Sequence, residues 1–232
     1  MKPVLLLIPG MLNDERVWAD VAAALAGEAE VRIADVLTQD GIAAMARDAL
    51  PRVADVAPER PVVLAGFSMG GYVAGELLAT VPGRWRAAVL IATSCLPETP
   101  EGAAGREMAI AAFRADFEAT IQGVARRGLG QPDAALQERL VQMMRDVGAD
   151  TAVRQTQAIR ERADRRAELA ALTLPVQVLC GLKDRVTPPA LSQALADTVP
   201  GAQLQWVENA GHMLPLEHPQ VVADALRHAL TA

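Results

Sequence analysis

One property restricts the fold of this chain more than any other: its hydrophobic period switches back and forth along the sequence. Short, continuous apolar runs alternate with longer segments whose apolar residues recur every three to four positions. The runs fall at 4–8, 31–34, 62–65, 87–91, 176–180 and 204–207. Runs this short and this apolar suit strands buried on both faces, and their alternation with helical segments is the mark of a parallel sheet built from βαβ units. The helical patterns cover 15–26, 42–56 with a break at Pro51, a segment opening near Met69, 189–199, and a last segment ending near Leu230. The expected architecture is α/β, with about six parallel strands and helices on both faces.

Residues 97–170 interrupt this order with helical spacing alone. Ile110, Phe113, Phe117, Ile121 and Val124 form one apolar stripe, and Leu136, Leu140, Met143, Met144 and Val147 form a second. Such stripes are packing surfaces, and their underside can also roof a pocket. The segment is therefore expected to be a helical cap (lid) inserted into a core made of 1–96 and 171–232. No fixed-period repeat or low-complexity linker divides the chain further.

Composition narrows the function. With 51% apolar and 22% charged residues the chain can bury a core. A net charge of −6 and a pI near 5.1 argue against a nucleic-acid partner, which needs clustered Lys and Arg. Cys95 and Cys180 are too few for a disulfide framework and lack C-x-x-C spacing, which fits a reducing, cytoplasmic setting. The apolar run after Lys2 stops at Pro9-Gly10, short of the ~7 residues of a secretory core, and nothing approaches the ~18 apolar residues of a membrane span. The three histidines have no H-x-x-x-H spacing, so no metal site is indicated.

The chemistry lies at "VVLAGFSMGGYVAGELL" (62–78), where a strand pattern gives way to a helix at a serine flanked by glycines. A serine hydroxyl is a poor nucleophile unless it is exposed and a base takes its proton. A sharp strand-to-helix turn exposes it, at the cost of a strained serine backbone and crowding that only glycine tolerates. With 17 glycines and three serines in 232 residues, chance places G-x-S-x-G in such a chain only about 0.016 times, so the match carries information. The turn also opens a helix, leaving the Met69 N–H unpaired and positively polarised. A base and an orienting carboxylate must come from other strand ends. His212, in the loop after the last strand pattern, fits the base, whereas His218 and His228 belong to the terminal helix. Asp184, after the strand at 176–180, fits the carboxylate, and Glu98 is the second candidate.

Gly66-x-Ser68-x-Gly70, then G-L-K-Asp184-R-V-T-P, then Ala210-Gly211-His212 resemble the α/β-hydrolase superfamily over nearly the whole chain. In detail the G-x-S-M-G-G elbow and the L-x-G-x-x-D-x-x-T-P stretch look like those of small lid-bearing esterases and enol-lactone hydrolases. The resemblance implies the α/β-hydrolase fold, no cofactor, and a second oxyanion-hole donor at the Met11 N–H, beside that of Met69. Two departures stand out: many relatives carry an antiparallel hairpin before the first parallel strand, and the usual His-Gly is here Pro9-Gly10. Dehalogenases and epoxide hydrolases of this fold use an aspartate where Ser68 stands, which excludes their chemistry.

The expected activity is hydrolysis of a carboxylic ester or lactone through an acyl-enzyme, with carbon–carbon bond hydrolysis or acyl transfer on the same triad, or a non-catalytic ligand-binding module, as alternatives. Met108, Phe113, Phe117, Met143 and Met144, with Met11 and Met69, suggest an apolar pocket for a small-molecule ester or lactone. The insertion's arginines, among them Arg126, Arg127, Arg154, Arg160, Arg162 and Arg166, either recognise a substrate carboxylate or pair with neighbours such as Glu161 and Asp164. The helix faces are compatible with a monomer or a homodimer.

Overall fold

The computed structural model describes residues 2–232. Six strands form one sheet: β1 (Val4–Ile8), β2 (Glu30–Ile33), β3 (Val62–Phe67), β4 (Ala87–Ile91), β5 (Val176–Gly181) and β6 (Gln203–Val207), in the order β2-β1-β3-β4-β5-β6. Every neighbouring pair is parallel, as the sequence pattern requires. The chain steps outward from β1 to β2, returns to place β3 on the other side of β1, and then adds β4, β5 and β6 in turn. The order reverses between β1 and β3, and a crevice opens there at the carboxyl ends of the strands. Register brings those ends level: Ile8 lies beside Gly66, and Phe67 beside Ile91.

Alternation along the strands splits the core in two. Leu5, Leu7, Val63, Ala65, Phe67, Val89 and Ile91 face one side. They are covered by α1 (Ala19–Leu25), by α11 (Pro219–Thr231) and by part of the insertion. Val4, Leu6, Ile8, Leu64, Ala88 and Leu90 face the other, under α2 (Ile42–Ala49), α3 (Met69–Thr80) and α9 (Pro189–Thr198). Two expected helices begin or end in tighter turns. The 15–26 pattern opens as a 3₁₀ turn, Glu15–Trp18, capped by the Asp14 side chain on the Arg16 N–H. The 42–56 pattern leaves the α-helix at Ala49 for a 3₁₀ turn, Leu50–Val53, because Pro51 has no N–H to continue it.

Between β4 and β5 run α4 (Pro100–Ala115), α5 (Phe117–Gly128), α6 (Ala134–Val147), α7 (Ala149–Arg160) and the short α8 (Arg166–Leu169); α10 (Leu214–Glu217) precedes α11. The first apolar stripe is not one helix face, as its spacing suggested, but two. Asp116 adopts an extended conformation between α4 and α5, and its carboxylate caps the Ala119 N–H, which ends one helix and starts the next. The second stripe lies on α6, with Leu140, Met143 and Met144 buried. Among the described residues no helix is long and apolar enough to cross a membrane.

Candidate active site

The turn between β3 and α3 holds Ser68 at φ 54°, ψ −116°, a backbone conformation that L residues rarely adopt. Such strain costs about 1–3 kcal/mol and persists only where surroundings enforce it. Here the Ser68 N–H donates to the Ile91 carbonyl (2.9 Å), while the Ser68 carbonyl accepts from the Gly71 N–H (2.8 Å) and the Thr93 hydroxyl (2.8 Å). Gly66 and Gly70 are required by proximity: a Cβ on Gly66 would overlap the Gly70 carbonyl, and one on Gly70 the carbonyls of Ile8 and Pro9. The Met69 side chain is fully buried on the α3 side of the sheet. Its N–H is the first of α3, and no intrahelical acceptor exists for it.

The loops after β5 and β6 deliver the other two groups. His212 Nε2 is 2.9 Å from Ser68 Oγ, and His212 Nδ1 is 2.8 Å from Asp184 Oδ2. The Asp184 carboxylate is held by a local turn, since its Oδ1 accepts from the N–H groups of Val186 (2.7 Å) and Thr187 (2.8 Å). Thr187 Oγ lies 2.8 Å from Asp184 Oδ2 and 2.9 Å from the Ala92 carbonyl, tying the turn to the end of β4. Burial works to raise the Asp184 pKa, but the hydrogen bonds and charge of His212, with those from Thr187, outweigh it and keep the carboxyl below its ordinary range. The His212 loop has its own clamp. The Glu217 carboxylate accepts from the N–H groups of Gly130 (2.7 Å), Gly211 (3.1 Å) and Met213 (3.0 Å), and the His212 N–H donates to the Gly128 carbonyl (2.7 Å). Glu98, the second carboxylate candidate, points elsewhere and pairs with Arg106 and Arg162.

A cavity of about 200 Å³ opens at Ser68 and His212. Its lining comes from the loop after β1 (Met11, Leu12, Asn13), from α3 (Tyr72), and from α4 to α7, including Phe113, Val124, Met144 and Ile159. Of the expected pocket residues, Met11, Phe113 and Met144 line it. Met108 does not, being 70% exposed on the outer face of α4. Met143 turns into the core, since one helical step rotates it ~100° from Met144. Phe117 reaches the cavity only through Phe113, with ring centroids 6.0 Å apart. Met69 contributes its backbone rather than its side chain.

The loop after β1 is strained as well: Leu12 has φ 59°. Its N–H donates to Gln155 Oε1 (2.8 Å), and Gln155 Nε2 donates to the Val36 carbonyl (2.9 Å), so one fully buried amide on α7 ties this loop to the segment after β2. Sequence reasoning missed Gln155, whose contact 143 residues away leaves no local pattern, and also Glu217 and Tyr72; Thr187 was visible only as part of the D-x-x-T-P stretch. Of the insertion arginines, Arg166 and Arg160 pair with the neighbouring carboxylates Asp164 and Glu161, whereas Arg127 and Arg154 donate to the carbonyls of Arg185 and Leu37. Neither cysteine lines the cavity, and burial pushes the Cys180 thiol up to about 11. Among the described residues no cluster of His, Cys, Asp and Glu is placed to hold a metal ion.

Residues 5–225 match the model of the alpha/beta hydrolase family. The chain is 30% identical to a pimeloyl-[acyl-carrier protein] methyl ester esterase of Xanthomonas campestris pv. campestris, an alignment covering 99% of this chain and 96% of that protein. It is also 30% identical to the enzyme of that name from Neisseria meningitidis serogroup C, over 73% of this chain and 69% of the other. Among solved structures, a thermophilic esterase from Thermogutta terrifontis with malate bound superposes with a TM-score of 0.86 at 26% identity, covering 100% of this chain and 90% of that one. The chain belongs to the alpha/beta hydrolase family and is a hydrolytic enzyme of the esterase type.

Proposed function

We propose that this hydrolase cleaves a carboxylic ester or lactone through an acyl-enzyme on Ser68. The reading is carried by one observation: a hydroxyl on a strained turn, an imidazole and a buried carboxylate form a continuous hydrogen-bonded chain, at 2.9 and 2.8 Å, at the floor of a largely apolar cavity. His212 Nε2 takes the Ser68 proton as Oγ attacks the carbonyl carbon. The His212 Nδ1–H donates to the Asp184 carboxylate throughout, which fixes the tautomer and stabilises the imidazolium that forms. The oxyanion is received by the N–H groups of Met69 and Met11, the first strengthened by the positive end of α3. His212 then protonates the departing alkoxide, and water activated by the same imidazole releases the acid and restores Ser68.

Helices α4 to α7 serve as the cap in this scheme. They supply Phe113, Val124, Met144 and Ile159 to the apolar wall and limit water at the reacting carbonyl. The curated relatives named above are methyl ester esterases, and a methyl or other small alkyl ester of a linear acyl chain is the substrate class we assign first. A fluorophosphonate probe should label the wild-type protein at Ser68. Ser68→Ala should lose both labelling and p-nitrophenyl ester turnover, and full turnover by that variant would refute the mechanism.

A further inference from the structure

Among the described residues, the lining of the apolar cavity holds one permanently charged group, Arg106 on α4. Its only hydrogen bond within the protein, among the described residues, runs from Nε to Glu98 Oε2 at 3.2 Å. That same oxygen receives a shorter bond, 2.8 Å, from Arg162 Nη1. The Arg162 side chain is only 8% exposed; its terminal nitrogens also donate to the carbonyls of Ile159 and Leu96, its guanidinium sits 4.6 Å above the Tyr72 ring, and its Nε has no partner among the described residues. Burial opposes ionisation of Glu98, but the two guanidiniums prevail and hold its carboxyl below the ordinary range. One carboxylate thus serves two guanidiniums, and the cluster carries a net charge of +1 at the cavity wall.

The Arg106 side chain is 34% exposed, so water solvates it in the free protein, and an anion that enters the cavity gains a charge-assisted partner in place of that water. The two terminal nitrogens of Arg106 have no protein acceptor among the described residues, and a guanidinium edge of this kind matches the two oxygens of a carboxylate. Tyr72, beside the same cavity, has no hydrogen-bond partner for its hydroxyl among the described residues. Because Arg106 and Ser68 line one cavity, a molecule can reach both at once.

We propose that Arg106 is an anion subsite, so that the substrate is an ester whose acyl chain ends in a carboxylate, such as the half-ester of a dicarboxylic acid. The free terminal carboxylate and its place at Arg106 are the step added to the proposed ester hydrolysis, which rests on Ser68 being the reacting group. Arg106 acts on specificity and takes no part in the proton transfers.

The test compares monomethyl adipate with methyl hexanoate, which share chain length and differ in the terminal charge, across a series of half-esters from succinate to suberate. The wild type should favour the charged member of at least one pair. In Arg106→Gln the ratio of kcat/KM for charged over neutral ester should fall by about tenfold or more, the range of a lost charge-assisted hydrogen bond. Glu98→Gln removes the shared carboxylate and should move the ratio the other way, an effect that a merely structural role would not produce. Circular dichroism checks that each variant is folded, and the Ser68→Ala protein is titrated with both esters so that binding is read without turnover. Failure of the wild type to hydrolyse any ester would count against the serine mechanism, whereas tighter binding of the half-ester by Ser68→Ala would still support the subsite. Equal handling of the charged and neutral esters throughout the series, or an unchanged ratio in both variants, would overturn it.

Discussion

Gln155 tests how far the insertion controls the loop after β1. Its side chain is fully buried and bridges two backbone groups, the Leu12 N–H at 2.8 Å and the Val36 carbonyl at 2.9 Å. Replacement by Leu keeps the volume near constant and leaves both groups without partners in a dry interior. Each orphaned group costs about 1–3 kcal/mol, so the variant should be destabilised by roughly 2–5 kcal/mol. For a domain of this size that corresponds to a fall in Tm of roughly 5–15 °C. Leu12 at φ 59° is also freed to relax toward ordinary backbone space. Its neighbour Met11 supplies one proposed oxyanion donor, and a misplaced donor should lower kcat by about tenfold or more, short of the ~10² to 10³ of a donor lost outright. The assays are urea denaturation followed by circular dichroism, and p-nitrophenyl ester kinetics below the new Tm. Gln155→Glu keeps an acceptor for Leu12 but turns an oxygen toward the Val36 carbonyl, so it should not restore stability. A Leu variant within about 0.5 kcal/mol of wild type, with kcat intact, would refute the reasoning.

Two further outcomes follow from the site. The Asp184 carboxyl is held below its ordinary value of 3.8, so the stability it contributes is present above that pH and disappears as pH falls through the lower folded value. The stability advantage of wild type over Asp184→Asn should therefore be full above about pH 5 and narrow as the solution is acidified, read from urea midpoints at each pH; a constant gap would contradict the assignment. Glu217→Ala removes the acceptor for the N–H groups of Gly130, Gly211 and Met213. It should cost about 1–3 kcal/mol and reduce kcat/KM by loosening the His212 loop, with partial rescue by Glu217→Gln, which keeps one acceptor oxygen; wild-type kinetics and Tm in both variants would show that the clamp is dispensable.

The strands and the turn between them were legible because their causes are local. A buried parallel strand needs a continuous apolar run, so Val4–Ile8 and Ala87–Ile91 could be placed to the residue from period alone. The crowding at Ser68 needs glycine at 66 and 70 whatever the rest of the chain does. The break at Asp116 was missed because the apolar spacing runs across it unbroken, while the event that divides the helices is a single capping bond.

The sequence by itself determined the layer order, the elbow and the chemical types of the three polar groups, since each depends on a few neighbouring residues. Tertiary structure alone decided which side chains share a space. It set Asp184 rather than Glu98 against His212, and it brought Gln155 to the loop after β1. It turned Met144 into the cavity and Met108 out to solvent, and it left Arg106 facing the cavity with half a partner. Local pattern fixes which face of an element is apolar, but only packing between elements distant in the chain fixes what that face meets.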